Sequence, residues 1–129
     1  MGKLARLNKE KKSWFVVAVK EDYQYEVEQE IDGQKVTTKE GQAYLTPLGT
    51  KTGKVLPFTT KDEAKAWLSE LVKEFEAEGK PAVYDMNFRL LKVWYVPDRV
   101  RRYDLEWANK YVLEDEGAEV ARPQSSRRP

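Results

Sequence analysis

The chemistry open to this chain of 129 residues is that of carboxylates, amines, hydroxyls and guanidinium groups, because it contains neither histidine nor cysteine. Without imidazole or thiolate there is no ordinary zinc site, no cysteine nucleophile, no Ser-His-Asp triad and no disulfide. Two fragments imitate catalytic motifs. Glu63-Ala64-Lys65 has the Glu-x-Lys spacing of metal-dependent nucleases, but it falls on a capped helix rather than a strand. Gly49-Thr50-Lys51-Thr52-Gly53-Lys54 resembles a phosphate-cradling loop. Its glycines are too close together for one, Val55 stands where Ser or Thr is needed, and Pro57 blocks the helix that must follow. Neither fragment meets the geometric roles of a catalytic site, so the expectation is a protein that is not an enzyme and holds no cofactor or metal.

The other residues with chemical potential are arginines and aromatic rings. Arg99, Arg101 and Arg102 form the densest basic cluster of the body, beside Trp94, Tyr95, Tyr103, Trp107 and Tyr111. Trp, Tyr and Arg are the residues that dominate protein interfaces. Trp94 and Trp107 are expected to complete the core. The candidate partner-binding residues are therefore Tyr95, Arg99, Arg101, Arg102, Tyr103 and Tyr111, joined by Lys11 and Lys12 from the basic N-terminus. The same residues offer a second reading, in which the cations neutralise phosphates and the rings stack on bases.

Charge distribution favours a protein partner. The net charge is +1. Residues 1–12 carry +4 and residues 117–129 carry +2, which leaves −5 for residues 13–116. A nucleic-acid-binding domain is usually basic on one face, and this body is acidic. The chain length fits one domain. It divides into a basic N-terminal arm (1–12), a folded body (13–116) and a disordered Pro- and Ser-containing tail (117–129). No window reaches the roughly 18–20 apolar residues of a membrane span. The N-terminus lacks the apolar stretch of a secretory signal, and a cytoplasmic location is expected.

Several elements must position these groups. Residues 14–19 form a continuous apolar, β-branched and aromatic run, which reads as a buried strand. Tyr23, Tyr25, Val27 and Ile31 then alternate with Gln24, Glu26, Glu28, Glu30 and Asp32. Asp32-Gly33 is a favoured two-residue hairpin turn. Folding about it sets Glu30 opposite Lys35, Glu28 opposite Thr37, Val27 opposite Thr38 and Glu26 opposite Lys39. Residues 43–46 read as a short strand ended by Pro47, and 47–57 as a loop. Thr60 and Glu63 have the spacing of a capping box for a helix that buries Ala64, Trp67, Leu68, Leu71, Val72 and Phe75 and stops at Gly79. Its outer face carries Glu70, Glu74, Glu76 and Glu78, an unfavourable row near a helix C-terminus. Residues 82–96 alternate as one bent strand or two short ones. A last helix is expected from about residue 98 or 104 to 116.

The run Trp14-Phe-Val-Val, the charged hairpin, Tyr44-Leu-Thr-Pro and Phe58-Thr-Thr-Lys-Asp-Glu-Ala-Lys-Ala-Trp67 together resemble the layout of small single-domain proteins encoded by bacteriophages, over residues 13–79. The resemblance implies a protein that binds a host machine, such as RNA polymerase or a defence complex, in the host cytoplasm and changes its behaviour. The expected fold is α+β: an antiparallel sheet of four or five strands, one helix packed on a face and a C-terminal helix. The expected function is non-catalytic binding that modulates a larger protein or protein–nucleic-acid complex. Direct nucleic-acid binding through residues 94–111 and the basic arms is the alternative.

Overall fold

The computed structural model describes residues 12–120. The fold is α+β: among the described residues, a five-stranded antiparallel sheet with two α-helices. The strands are β1 (Trp14–Ile31), β2 (Gln34–Pro47), β3 (Phe88–Val93), β4 (Tyr103–Asp104) and β5 (Val112–Gly117), in the order β4-β2-β1-β3-β5. The helices are α1 (Lys61–Ala77) and α2 (Leu105–Tyr111), and a short 3-10 helix spans Pro81–Asp85. Among the described residues no helix is long and apolar enough to cross a membrane.

The apolar start of β1 organises the body. Val16, Val17, Ala18 and Val19 are all buried, so this strand needs cover on both faces. Val17 and Val19 join Phe88 and Leu90 of β3 beneath Ala64, Leu68 and Val72 of α1. Val16 and Ala18 join Leu45, Leu91 and Val93 on the opposite face, beneath Trp14, Val96, Val100, Ala108 and Val112. Each fully buried Val or Leu contributes about 1.5–3 kcal/mol, whereas an exposed ion pair contributes about 0–1 kcal/mol. Apolar burial therefore assembles the sheet, and charges refine its register.

Beyond residue 20 the character of β1 changes. The two strands expected at 14–19 and 23–31 are one continuous strand, and those around 34–39 and 43–46 are likewise one. Together they form a long hairpin whose distal half, residues 21–42, extends past the rest of the sheet. Its register is Ile31 with Gln34, Glu30 with Lys35, Glu28 with Thr37, Val27 with Thr38 and Glu26 with Lys39, as the charge pattern predicts. Asp32 and Gly33 both take positive φ (53° and 79°), the geometry that matches a tight turn to strand twist.

Helix α1 starts as its capping box predicts. The Thr60 hydroxyl accepts from the Glu63 amide at 3.2 Å, and the Glu63 carboxylate accepts from the Thr60 amide at 3.1 Å. The row of glutamates at its end is partly offset: Glu76 accepts a hydrogen bond from the Tyr84 hydroxyl, and Glu78 lies 3.2 Å from the Lys80 amine.

Three expectations are corrected. Residues 82–85 are not strand but part of the 3-10 helix, in which Val83 is buried in the core and its neighbour Tyr84 packs half-buried against the same cluster, a placement that strand alternation does not allow. The last helix ends at Tyr111, and residues 112–116 belong to β5. That acidic strand is held to β3 by Arg89–Asp115 at 2.7 Å and Lys92–Glu114 at 3.6 Å, and to α1 by Lys61–Glu116 at 3.2 Å. The ordered chain also passes the expected boundary at 116. Gly117 pairs with Arg89, the Ala118 amide donates to the Phe88 carbonyl at 3.0 Å, and Val120 packs on the α1 side of the core. The rest of the expected tail, and residues 1–11 of the expected arm, lie outside the described residues.

The loop after β2 folds back so that Phe58 exchanges two backbone hydrogen bonds with Phe15, at 2.7 and 2.8 Å. This return depends on Gly49, where a Cβ atom would come within 1.7 Å of the Lys54 carbonyl oxygen. Gly49→Ala is expected to destabilise the fold by about 1–3 kcal/mol in urea unfolding, the range of an overpacked site. A second expectation concerns Glu63. Its carboxyl is held below the ordinary carboxylate range, first by the Thr59 hydroxyl and then by Thr60. Stability from a lowered carboxyl is present above its unfolded pKa and is lost as pH falls through the folded one. Melting temperatures measured at stepped acidic pH should therefore decline less steeply for Glu63→Gln than for the wild type.

Candidate functional site

Strand β4 is only two residues long, yet it sorts the basic cluster between two places. Its pairing sets Tyr103 beside Leu45 and Asp104 beside Tyr44 on β2. Leu45 belongs to the core away from α1, and Tyr103 follows it to that side. Alternation along an extended chain sends neighbouring side chains to opposite faces. Arg101 accordingly accompanies Tyr103, with its guanidinium 4.8 Å from the ring centre, while Arg102 turns to the other face.

Arg102 grips the base of the long hairpin. Its guanidinium lies 5.1 Å from the Tyr23 ring centre and 4.9 Å from that of Tyr44. It donates to the Tyr23 hydroxyl at 2.9 Å and lies 3.7 Å from the Glu21 carboxylate. The Tyr23 hydroxyl in turn donates to Glu21 at 3.0 Å. This bond to a carboxylate is the main cause of a Tyr23 pKa above the ordinary phenol value, with the positive charge of Arg102 acting in the opposite direction. Arg102 therefore has an intramolecular task, a role invisible in a sequence where its partner stands 79 residues away.

The remaining rings form a ladder. The Asp104 carboxylate caps α2 by accepting from the Trp107 amide at 3.1 Å. One helical turn then separates Tyr103, Trp107 and Tyr111, the spacing that stacks side chains along one face. Tyr103 and Trp107 stack with centroids 4.6 Å apart, and Trp107 and Tyr111 are 5.8 Å apart. Tyr111 also meets Trp94 at 5.2 Å and Tyr95 at 4.8 Å. Five rings are thus in continuous contact, each pair within the 4.5–7 Å at which aromatic pairs attract. The Trp94 amide donates to the Tyr111 carbonyl at 3.2 Å, and the Trp94 indole donates to the Lys110 carbonyl at 3.1 Å. Those carbonyls at the end of α2 would otherwise need partners.

Four of the expected site residues, Tyr95, Arg101, Tyr103 and Tyr111, meet on this ladder. Tyr95 is its exposed end, with 46% of its surface accessible. Beside it lies a shallow cleft of about 600 Å³ lined by Lys12, Trp14, Pro57, Trp94, Tyr95 and Val96, which brings Lys12 to the same area. Arg99 is exposed, its backbone pairs with that of Lys54 in an isolated antiparallel bridge, and its carbonyl accepts from the Tyr103 hydroxyl at 3.3 Å. Lys11 lies outside the described residues. Trp94 and Trp107, expected in the core, are half-buried members of the ladder. The Trp14 and Pro57 walls of the cleft were not anticipated, because their distance from residue 94 in sequence hides the contact. Among the described residues no group of three or more carboxylates gathers to hold a metal ion.

No family model, curated protein or solved structure matches this chain. Replacing Arg102 separates its two neighbourhoods experimentally. Arg102→Ala should accelerate amide hydrogen exchange in residues 21–25 and 42–44 at least severalfold while leaving exchange in α2 unchanged. Equal exchange in wild type and variant would show that the guanidinium does not hold the hairpin.

Proposed function

We propose that this chain is a non-catalytic binding protein that engages a larger protein or nucleoprotein assembly through the ring ladder and its flanking cations, and so alters what that assembly does. The observation that carries the reading is the ladder itself: five touching rings, an exposed Tyr95 beside an apolar cleft, and Arg101 stacked on the outer ring. Rings held in place by neighbours lose little side-chain freedom on binding, which makes them effective anchors. Charge supports a protein partner over a nucleic acid. The segment 94–111 holds four cations and three carboxylates, far from the basic surface that phosphate binding requires. The likeness in layout to small bacteriophage proteins extends the reading to a host machine, such as RNA polymerase or a defence complex, met in the cytoplasm.

The test is capture from a lysate of the source organism or its host, with tagged wild type and with a Tyr95→Ala, Arg99→Ala, Arg101→Ala variant, each with and without nuclease. Arg102 stays unchanged because of its intramolecular role. A stoichiometric protein that survives nuclease and drops at least tenfold with the variant, at unchanged circular dichroism, is the expected result. Equal capture by both proteins would remove the ladder from the interface. Capture that disappears with nuclease would transfer the site to nucleic-acid binding.

A further inference from the structure

The distal hairpin, residues 21–42, has no part in the ladder. It holds seven carboxylates against two lysines, a net charge of −5, which equals the entire net charge of the body 13–116. Everything else in that body sums to zero. At roughly 3.3 Å per residue it extends about 30 Å. Among the described residues both of its strands are edges, and an isolated two-stranded ribbon is only marginally stable in water.

The outward edge of β1 can be assigned residue by residue. Its inner edge bonds through odd positions: the Phe15 amide donates to Phe58, and the Val17 carbonyl accepts from Leu48. The opposite edge bonds through even positions: the Lys20 amide donates to the Asn87 carbonyl at 2.9 Å. The pairing with β2 continues without a break to Ile31, so this alternation persists. The amides and carbonyls of Asp22, Gln24, Glu26, Glu28 and Glu30 therefore face away from β2. Strand β3 fills that edge only against residues 14–19. Among the described residues nothing pairs with it beyond Lys20.

The two faces of this edge differ. Glu26, Glu28 and Glu30 lie on one. Tyr25, Val27 and Ile31 lie on the other, with Tyr25 and Ile31 exposed to 46% and 49%. Side chains on a strand added beside β1 would alternate between these same faces. Basic residues would meet the glutamates, and apolar residues would meet Tyr25, Val27 and Ile31. Charge also decides against other occupants. A second copy would set acid row against acid row, a known device against edge-to-edge pairing. Nucleic acids and anionic membranes carry the same sign of charge as the hairpin.

We infer that the outer edge of β1, over residues 22–30, is a strand-addition site for an extended segment of a partner protein that alternates basic and apolar residues, continuing the line of β3. Main-chain hydrogen bonds along Asp22, Gln24, Glu26, Glu28 and Glu30 hold the segment, and the two faces select its sequence. This surface shares no residue with the ladder, so either can fail without the other.

The test uses the full chain and a short synthetic peptide alternating Lys and Val, with a control peptide of equal composition whose lysines are grouped at one end. Amide hydrogen exchange is read residue by residue by NMR. In the free protein the amides of Gln24, Glu26 and Glu28 should exchange rapidly. The alternating peptide should slow them at least tenfold and the grouped peptide should not. Glu26→Gln, Glu28→Gln, Glu30→Gln should weaken peptide binding at least tenfold. Glu28→Pro should do the same, because it removes an outward amide while leaving the bonds to β2 intact. No protection by the alternating peptide, or equal protection by both peptides, overturns the proposal. So does slow exchange in the free protein: if it depends on concentration a second copy occupies the edge, and if it does not another part of this chain occupies it.

Discussion

The structure depends on one constraint: four consecutive residues of β1, Val16 to Val19, must be dry on both faces. Consecutive side chains of a strand point in opposite directions, so a single layer cannot hide this run. Helix α1 covers Val17 and Val19. The cover over Val16 and Ala18 comes from Val55 of the loop after β2 and from the chain after β3, which supplies Val96, Val100, Ala108 and Val112. That second cover is irregular, broken by Pro97 and only one short helix long. Its apolar side chains reach inward, and its larger aromatic residues form the ladder at its rim. The candidate site is thus the outer surface of a structural lid over the strand.

The same strand explains why the molecule has two unlike surfaces. Up to Val19, β1 is flanked by β3 and by the β2 end of the hairpin, and its composition is apolar. Past Lys20 the strand paired with it among the described residues is β2 alone, and its composition turns to alternating acid and aromatic residues. The two parts are joined by the consecutive residues Arg101, Arg102 and Tyr103. Arg101 and Tyr103 belong to the ladder, and Arg102 holds Tyr23 and Tyr44 at the hairpin base. An extended segment is suited to this, since its alternation places three neighbours on two faces. A helix over the same residues, one of the two sequence expectations, would have put the guanidinium of Arg102 on a different surface.

Local chemistry was legible in the sequence and distant pairing was not. The hairpin register followed from Asp32-Gly33 and from charges that match across the strands, because turn and pairing partners are close in sequence. The capping box at Thr60 and Glu63 was legible for the same reason. The 3-10 helix at Pro81–Asp85 was not, since Tyr84, Met86 and Phe88 alternate as a strand would, while the deciding contact is Val83 against α1. Strand β5 was hidden more deeply. Its Glu114, Asp115 and Glu116 have poor strand propensity; they are carried into the ladder with β3 between Val112 and Ala118, which pack on the core, and Lys92, Arg89 and Lys61 match their charges. Of the candidate site, the sequence identified the rings and arginines but not their division. Which arginine faces the ladder depends on the pairing of β4 with β2, some 58 residues upstream.

A domain that needed acidity only for solubility could scatter its carboxylates, and outside the hairpin this body is neutral. Concentrating −5 on a ribbon with two open edges has two physical consequences. It opposes association of hairpin with hairpin, the hazard that exposed strand edges carry. It also creates a field that favours approach of positive surfaces and slows approach of negative ones, an effect that acts on encounter rates before any contact forms. The ladder has no such field of its own, because its cations and carboxylates nearly cancel. Any contribution it makes to the proposed recognition comes from shape and desolvation of rings at close range. In the function proposed above, orientation by the hairpin and anchoring by the ladder are complementary tasks on one small sheet, and Arg102, next to Arg101 and Tyr103 in the chain, ties the hairpin base to the segment that carries the ladder.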